Sequence, residues 1–253
     1  MLKRLSLVLL LAIPLVGIAK DKNKITPLPE SAAPVLNGKS VVITRHDKAP
    51  FTAFTAGKAA FALLGAGAMI AAGNQIVKEN EIADPADVLE RELAAAVIKQ
   101  YGLQLKAGAA PVIKPSKAKD IAATQSDVDY ILDLQSTGWM FAYIPTNWDA
   151  YWIGYSAHVQ LINRMSGKAL ADGTCYSDTQ KHPMPPTKDS MLANKAQLLK
   201  DVTASLGWHC AQVFAKEQFR LADGAMAATP PELADPQTAF GLVNGKASAP
   251  AAK

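Results

Sequence analysis

The chain carries four histidines, His46, His158, His182 and His209, and two cysteines, Cys175 and Cys210. These are the side chains most readily recruited for proton transfer, metal ligation and nucleophilic attack at neutral pH. Their spacing argues against such work here. No histidine stands at HExxH distance from another, and the cysteines form no CxxC pair. His209 adjoins Cys210, yet neighbours on a helix diverge by about 100°, which disfavours a direct Cys–His hydrogen bond. Asp127, Asp129 and Asp133 alternate along one segment, the pattern of a solvated strand face. Gly65-Ala66-Gly67 lacks the third glycine of a dinucleotide fingerprint and the Lys-Ser/Thr of a P-loop. The expectation is a non-enzymatic protein with no catalytic, cofactor-binding or metal-binding residues and no cofactor.

Aromatic side chains are the second resource. Trp139, Phe141, Tyr143, Trp148, Tyr151, Trp152 and Tyr155 gather around the turn Ile144-Pro145-Thr146-Asn147, although aromatics make up only 7% of the chain. One reading is cross-strand packing. The other is a hairpin tip that meets a partner or a membrane, where large rings give affinity. On that reading Trp139, Phe141, Tyr143, Trp148, Tyr151 and Trp152 are candidate contact residues.

The elements that must position these groups lie in Asp127–Asp178. Val128, Tyr130, Leu132 and Leu134 alternate with polar residues. So do Tyr151, Ile153, Tyr155, Ala157, Val159 and Leu161, and a third segment runs from Ala169 to Tyr176. Short turns between alternating segments imply an antiparallel meander. Lys39–Arg45 reads as a strand before it. Asp84-Pro85 opens a helix with its stripe at Leu89, Leu93 and Val97, closed by Gly102. A long helix runs from about Thr187 or Asp189 to Phe219, with Leu199, Val202, Leu206 and Cys210 at helical period. The expected fold is α+β: an antiparallel sheet of about four strands covered on one face by two main helices, plus an Ala/Gly-rich helical insertion at 51–80.

That insertion is open to more than one reading. Ala59–Ala72 holds no charge, but a spanning helix needs about 20 residues. A buried helix or helical hairpin suits its small residues. A segment that dips into a membrane or partner is the alternative, with Phe61, Leu64, Met69 and Ile70 as contact residues within 51–77.

Residues 1–19, MLKRLSLVLLLAIPLVGIA, have a basic start, an apolar core and small residues at Gly17 and Ala19, the layout of a cleaved export signal. The mature chain is expected to begin at Lys20. Residues 20–37 read as a flexible tether, 38–222 as a single domain and 223–253 as a disordered tail. Of the 26 basic residues two, Lys3 and Arg4, fall in the leader, which leaves the rest nearly balanced against 22 acidic ones. Nucleic acid is therefore not an expected partner.

Asp129-Tyr130-Ile131-Leu132-Asp133-Leu134 and Asn163-Arg164-Met165-Ser166-Gly167-Lys168-Ala169-Leu170-Ala171 resemble phrases that recur in bacterial envelope proteins. The layout is similar to the small α/β domain of curli-secretion-type lipoproteins, penicillin-binding-protein activator lipoproteins and the TolB amino-terminal domain. The chain departs from those lipoproteins in having no cysteine at the cleavage site. The resemblance implies an exported protein, periplasmic or outer-membrane-associated, that binds or assembles with an envelope protein or with itself. Membrane insertion through 51–77 is the runner-up, and an envelope enzyme comes third.

Export also favours a disulfide between the only two cysteines. Cys175 shares strand parity with Ala169, Ala171 and Gly173, a small-residue face onto which a helix can pack. Cys210 lies on the apolar stripe of the long helix. The bond would close a loop of about 36 residues, worth ~3–4 kcal/mol.

Overall fold

A computed structural model describes residues 23–55, 66–108 and 110–233. The expected signal at 1–19, insertion residues Phe61 and Leu64, and the tail from 234 lie outside the described residues. The strands are β1 (Lys24–Thr26), β2 (Ser40–His46), β3 (Phe51–Phe54), β4 (Gln104–Leu105), β5 (Val112–Ile113), β6 (Tyr130–Ile144), β7 (Asn147–Asn163) and β8 (Lys168–Asp178). The helices are α1 (Ala33–Leu36), α2 (Ala66–Glu79), α3, α4 (Ala118–Ala123) and α5 (Lys188–Val213). Helix α3 runs from Ala86–Val88 through a π-helical turn at Leu89–Leu93 to Ala94–Tyr101. A second π turn, Phe214–Gln218, ends α5.

The meander is the centre of the sheet. β6 pairs antiparallel with β7, and β7 with β8. The sheet is larger than the expected four strands and is mixed, with eight strands in the order β1-β8-β7-β6-β2-β4 and β3 and β5 added on β6 and β2. β2 and β3 both run parallel to β6. The reason is connectivity. The chain between β2 and β6 contains α2 and α3, and a long helical crossover brings a strand back parallel. Two-residue strands such as β4 and β5 leave no periodic signal in a sequence.

Residues 23–37, expected as a tether, are part of the domain. β1 zips onto Asp172–Thr174 of β8, and Leu28, Ala32 and Leu36 are buried. The start of the expected tail is also seated, because the Ser205 hydroxyl donates to the Leu233 carbonyl at 3.1 Å.

One face of the sheet holds the main core. Tyr130, Leu132, Leu134, Trp139 and Phe141 of β6 and Tyr155, Ala157, Val159 and Leu161 of β7 meet Leu89, Leu93 and Val97 of α3 and Leu199, Val202 and Leu206 of α5. The first four residues of the insertion form strand β3, and α2 packs back onto it. Phe51, Ala53, Met69 and Val77 are buried. These residues are structural, so insertion of 51–77 as a unit would empty part of the core. Among the described residues no helix is long and apolar enough to cross a membrane. Among the described residues, the opposite face is covered at one end, where α4 and β5 bury Ile131 and Ile162 with Ile113, Ile121, Ala122 and Val128.

Candidate interaction site

The hairpin of β6 and β7 turns in two residues, Pro145 and Thr146, with Ile144 paired to Asn147. Trp148 stands at this tip with 67% of its surface exposed. Its Nε1 donates to the Pro145 carbonyl at 3.0 Å. The indole's one donor is thus satisfied within the turn, and its apolar face is left to solvent. Tyr143, half-buried, stacks on Phe54 with centroids 6.0 Å apart. Below the tip, half-buried Trp152 occupies the open face of the sheet. A Cβ at Gly154 would fall 2.7 Å from Trp152 Cζ3 and 3.1 Å from the Tyr176 hydroxyl. Glycine at 154 therefore lets the indole lie down along the strand beside Tyr176. Burial, with the charge of Asp178 beside it, pushes the Tyr176 phenol up to about 12.

The other aromatics expected to make contacts are core residues. Trp139, Phe141 and Tyr151 are buried. They form an edge-to-face series with Phe51, with centroids 4.9 Å (Phe51–Trp139), 5.7 Å (Phe51–Phe141) and 5.6 Å (Phe141–Tyr151) apart. Trp139 Nε1 donates to the Ala49 carbonyl at 2.7 Å, which fixes its place in the core. The physical reason is parity. These residues share the strand face that the helices cover, whereas Trp152 has the opposite parity and Trp148 precedes the covered part of β7. On α2, Met69 is buried and Ile70 half-buried.

Polar groups lie across the open face at the height of Asp133. Thr44, Asp133, Gln160, Asp172 and Thr26 are consecutive cross-strand neighbours. Asp133 is fully buried, contrary to the expectation of a solvated face. Its carboxylate accepts from Thr44 Oγ1 at 2.6 Å and contacts His46 Nε2 at 3.0 Å. His158 Nε2 lies 3.3 Å from Asp172 Oδ2. Gln160 Nε2 donates to the Ser116 carbonyl at 3.0 Å, so the loop before α4 closes over this part of the sheet. Asp129 accepts from the backbone N–H and hydroxyl of Ser40, at 2.9 and 2.8 Å, which hold its carboxyl below the usual range.

At the end of β2 a cleft of about 270 Å³ opens toward the start of α3, lined by Arg45, His46, Lys48, Asp84, Asp87 and Ser136 among others. Asp84 caps α3 by accepting from Ala86 N–H at 2.9 Å and also accepts from the Ser136 hydroxyl. Burial, then the neighbouring Asp84 charge, raises the Asp87 carboxyl. Ser136 Oγ is 3.0 Å from the Tyr155 hydroxyl. Both Asp84 and Ser136 are thus engaged in holding α3 to β6. Among the described residues no three His, Cys, Asp or Glu side chains are grouped to hold a metal.

Cys175 and Cys210 form a disulfide with Cα atoms 5.6 Å apart. His209 is exposed beside it, and the sulfur it would activate is bonded. Spacing pointed to Trp148, Trp152 and the cysteines. Tyr176 and Gly154 were missed, since nothing in the sequence marks which strand partner lies beside an indole.

No protein-family model matches the chain, and no curated protein matches it. Among solved structures, it is similar to a PelC dodecamer from Paraburkholderia phytofirmans, with 16% identity over 78% of this chain and 97% of that one and a TM-score of 0.31. It is also similar to lipoprotein GNA1162 from Neisseria meningitidis, with 14% identity over 55% of this chain and 82% of that one and a TM-score of 0.22. A neuraminyllactose-binding hemagglutinin homolog from Helicobacter pylori covers 72% of this chain and 88% of its own, at 7% identity and a TM-score of 0.30. At these identities and scores the likenesses carry no argument about family or activity.

Proposed function

We propose that this protein is an exported, non-enzymatic component of a bacterial cell envelope, periplasmic or outer-membrane-associated, that binds or assembles with another envelope protein. The observation that carries the reading is Trp148, a large indole 67% exposed at the tip of the β6–β7 hairpin. Exposed tryptophans that are held in place supply contact area at little entropic loss. Trp152 and Tyr176 continue that apolar surface down the open face of the sheet. The leader-like residues 1–19 and the Cys175–Cys210 disulfide support an oxidising compartment.

The test is a photo-crosslinking amino acid at position 148 in the full-length chain, expressed in a bacterial host and followed by fractionation and intact-mass measurement. The expected result is a chain beginning at Lys20 in the envelope fraction, with one discrete adduct to an envelope protein. The same probe at Met165, 80% exposed on a different turn, gives no such adduct. Equal labelling at both positions, or retention of residues 1–19 in a cytoplasmic chain, overturns the reading.

A further inference from the structure

β7 is longer than the strand beside it. Its pairing with β8 stops at Gly154 and Asp178, yet β7 continues back to Asn147. The connecting segment covers the remaining edge. Thr179 N–H donates to the Ile153 carbonyl at 3.0 Å, and Ile153 N–H donates to Thr179 Oγ1 at 2.9 Å. Tyr151 N–H donates to the Pro186 carbonyl at 2.9 Å, and Ala150 pairs with Thr187 as an isolated bridge. Thr187 then caps the first turn of α5 by accepting from Ser190 N–H at 3.2 Å. Met191, in that turn, is fully buried.

Helix α5 does not run straight on from there. Ala193 is extended (φ −61°, ψ 155°), and Asn194, Lys195 and Ala196 are left-handed, with φ of 52°, 56° and 56°. None of the three is glycine. Each non-glycine residue in that region is disfavoured by roughly five- to thirty-fold relative to the right-handed helix. The sequence Leu192-Ala193-Asn194-Lys195-Ala196-Gln197-Leu198 is good right-handed helix material, and only Asn tolerates the left-handed region well. A straight α5 would carry Met191 and Pro186 away from the core and from β7. The bonds to β7 and the burial of Met191 thus oppose a strained backbone a few residues on.

We propose that residues 179–196 are a strained latch over the distal edge of β7. When it opens, Asn194–Ala196 revert to the right-handed form and the kinked α5 straightens into one continuous helix from Lys188 to Val213, with Pro185 and Pro186 just before it. The amides of Tyr151 and Ile153 are then bared beside Trp148. A bared edge of this kind takes an extended polypeptide strand through backbone hydrogen bonds. The latch rests on backbone geometry alone and stands or falls independently of the envelope reading.

Native-state hydrogen exchange on the full chain tests it, with Leu132 of β6 as the reference amide and two substitutions at exposed Lys195. Lys195→Gly relieves the left-handed turn and disfavours the helix. Lys195→Val strains the turn further, since β-branched residues are poorly tolerated there. In the wild type, Tyr151 and Ile153 should exchange about 100-fold faster than Leu132, through a local opening. Glycine at 195 should slow them by about five-fold or more, and valine should quicken them by a similar factor. Exchange of Tyr151 and Ile153 at the Leu132 rate, or rates unmoved by either substitution, overturns the latch.

Discussion

Asp133 shows what a single side chain does when an expected solvent-facing position is covered. Alternation along β6 places it correctly on the face away from the main core. The loop before α4 then reaches over that face, and Thr44 and His46 of the neighbouring strand β2 take the carboxylate as their partner. Asp133→Ala leaves the buried Thr44 hydroxyl without its acceptor and His46 without its carboxylate partner, and chemical denaturation should show a loss of about 2–4 kcal/mol. Thr44→Val removes one donor and keeps the shape, so its loss should be nearer 1 kcal/mol. Asp129, four residues earlier on the same face, is a different case. Ser40 donates to its ionised form and lowers its pKa. A lowered carboxyl pKa adds stability above the unfolded value, near pH 4, and that stability is lost as pH falls through the folded value. Asp129→Asn should therefore be less stable than wild type at pH 7, with the difference shrinking steadily below about pH 4. A constant difference across that range would show that the Ser40 bonds do not depend on the charge. Sequence pattern assigns both aspartates to one face and cannot separate them, because what covers a face is set by segments far away in the chain.

At the scale of elements, the contact between α2 and β3 illustrates how a helix rule is overturned by packing. Gly73 lies inside α2, where alanine is favoured by about 1 kcal/mol. A Cβ there would sit 1.9 Å from the Phe51 carbonyl oxygen and 2.9 Å from Ala53 N. Phe51 N–H in turn donates to Asn74 Oδ1 at 2.9 Å, so strand and helix are locked at close range. Gly73→Ala should destabilise by about 1–3 kcal/mol despite its better propensity, because the backbone of β3 has to move. Thermal unfolding of Gly73→Ala beside Gly67→Ala, where a Cβ meets nothing within 4 Å, separates the two effects. The small residues of 51–77 signalled close packing correctly, and their strand was hidden because four residues, Phe51–Phe54, carry too short an alternation. The meander was legible for the opposite reason. Its strands are 11 to 17 residues long, and its turns are short. The parallel additions of β2 and β3 to β6 were not, since a crossover of many residues says nothing local about which strand it returns to.

At the scale of the whole molecule, the disulfide ties the last strand of the meander to the helix that covers it. Its placement was legible because two periodicities converge. Cys175 has the parity of Ala171 and Gly173 on β8, and Cys210 has the period of Leu199, Val202 and Leu206 on α5. All of these are buried in the structure. The bond spans a sequence separation of 35. By the chain-entropy account, the crosslink removes freedom mainly from the unfolded chain, worth ~3–4 kcal/mol. Cys175→Ala with Cys210→Ala should accordingly lower the melting temperature by about 10 °C while leaving the fold intact, because alanine keeps the small-residue face on which α5 packs. Both cysteines are 0% exposed, so thiol reductant should reach the bond only through openings of the α5–β8 interface. Reduction of the native protein should therefore be slow, and mild denaturant should accelerate it in step with hydrogen exchange at β8. Fast reduction in native buffer, with β8 still protected, would mean that the sulfurs are reached by a local path. The entropic account would fail if the double variant melted at the wild-type temperature.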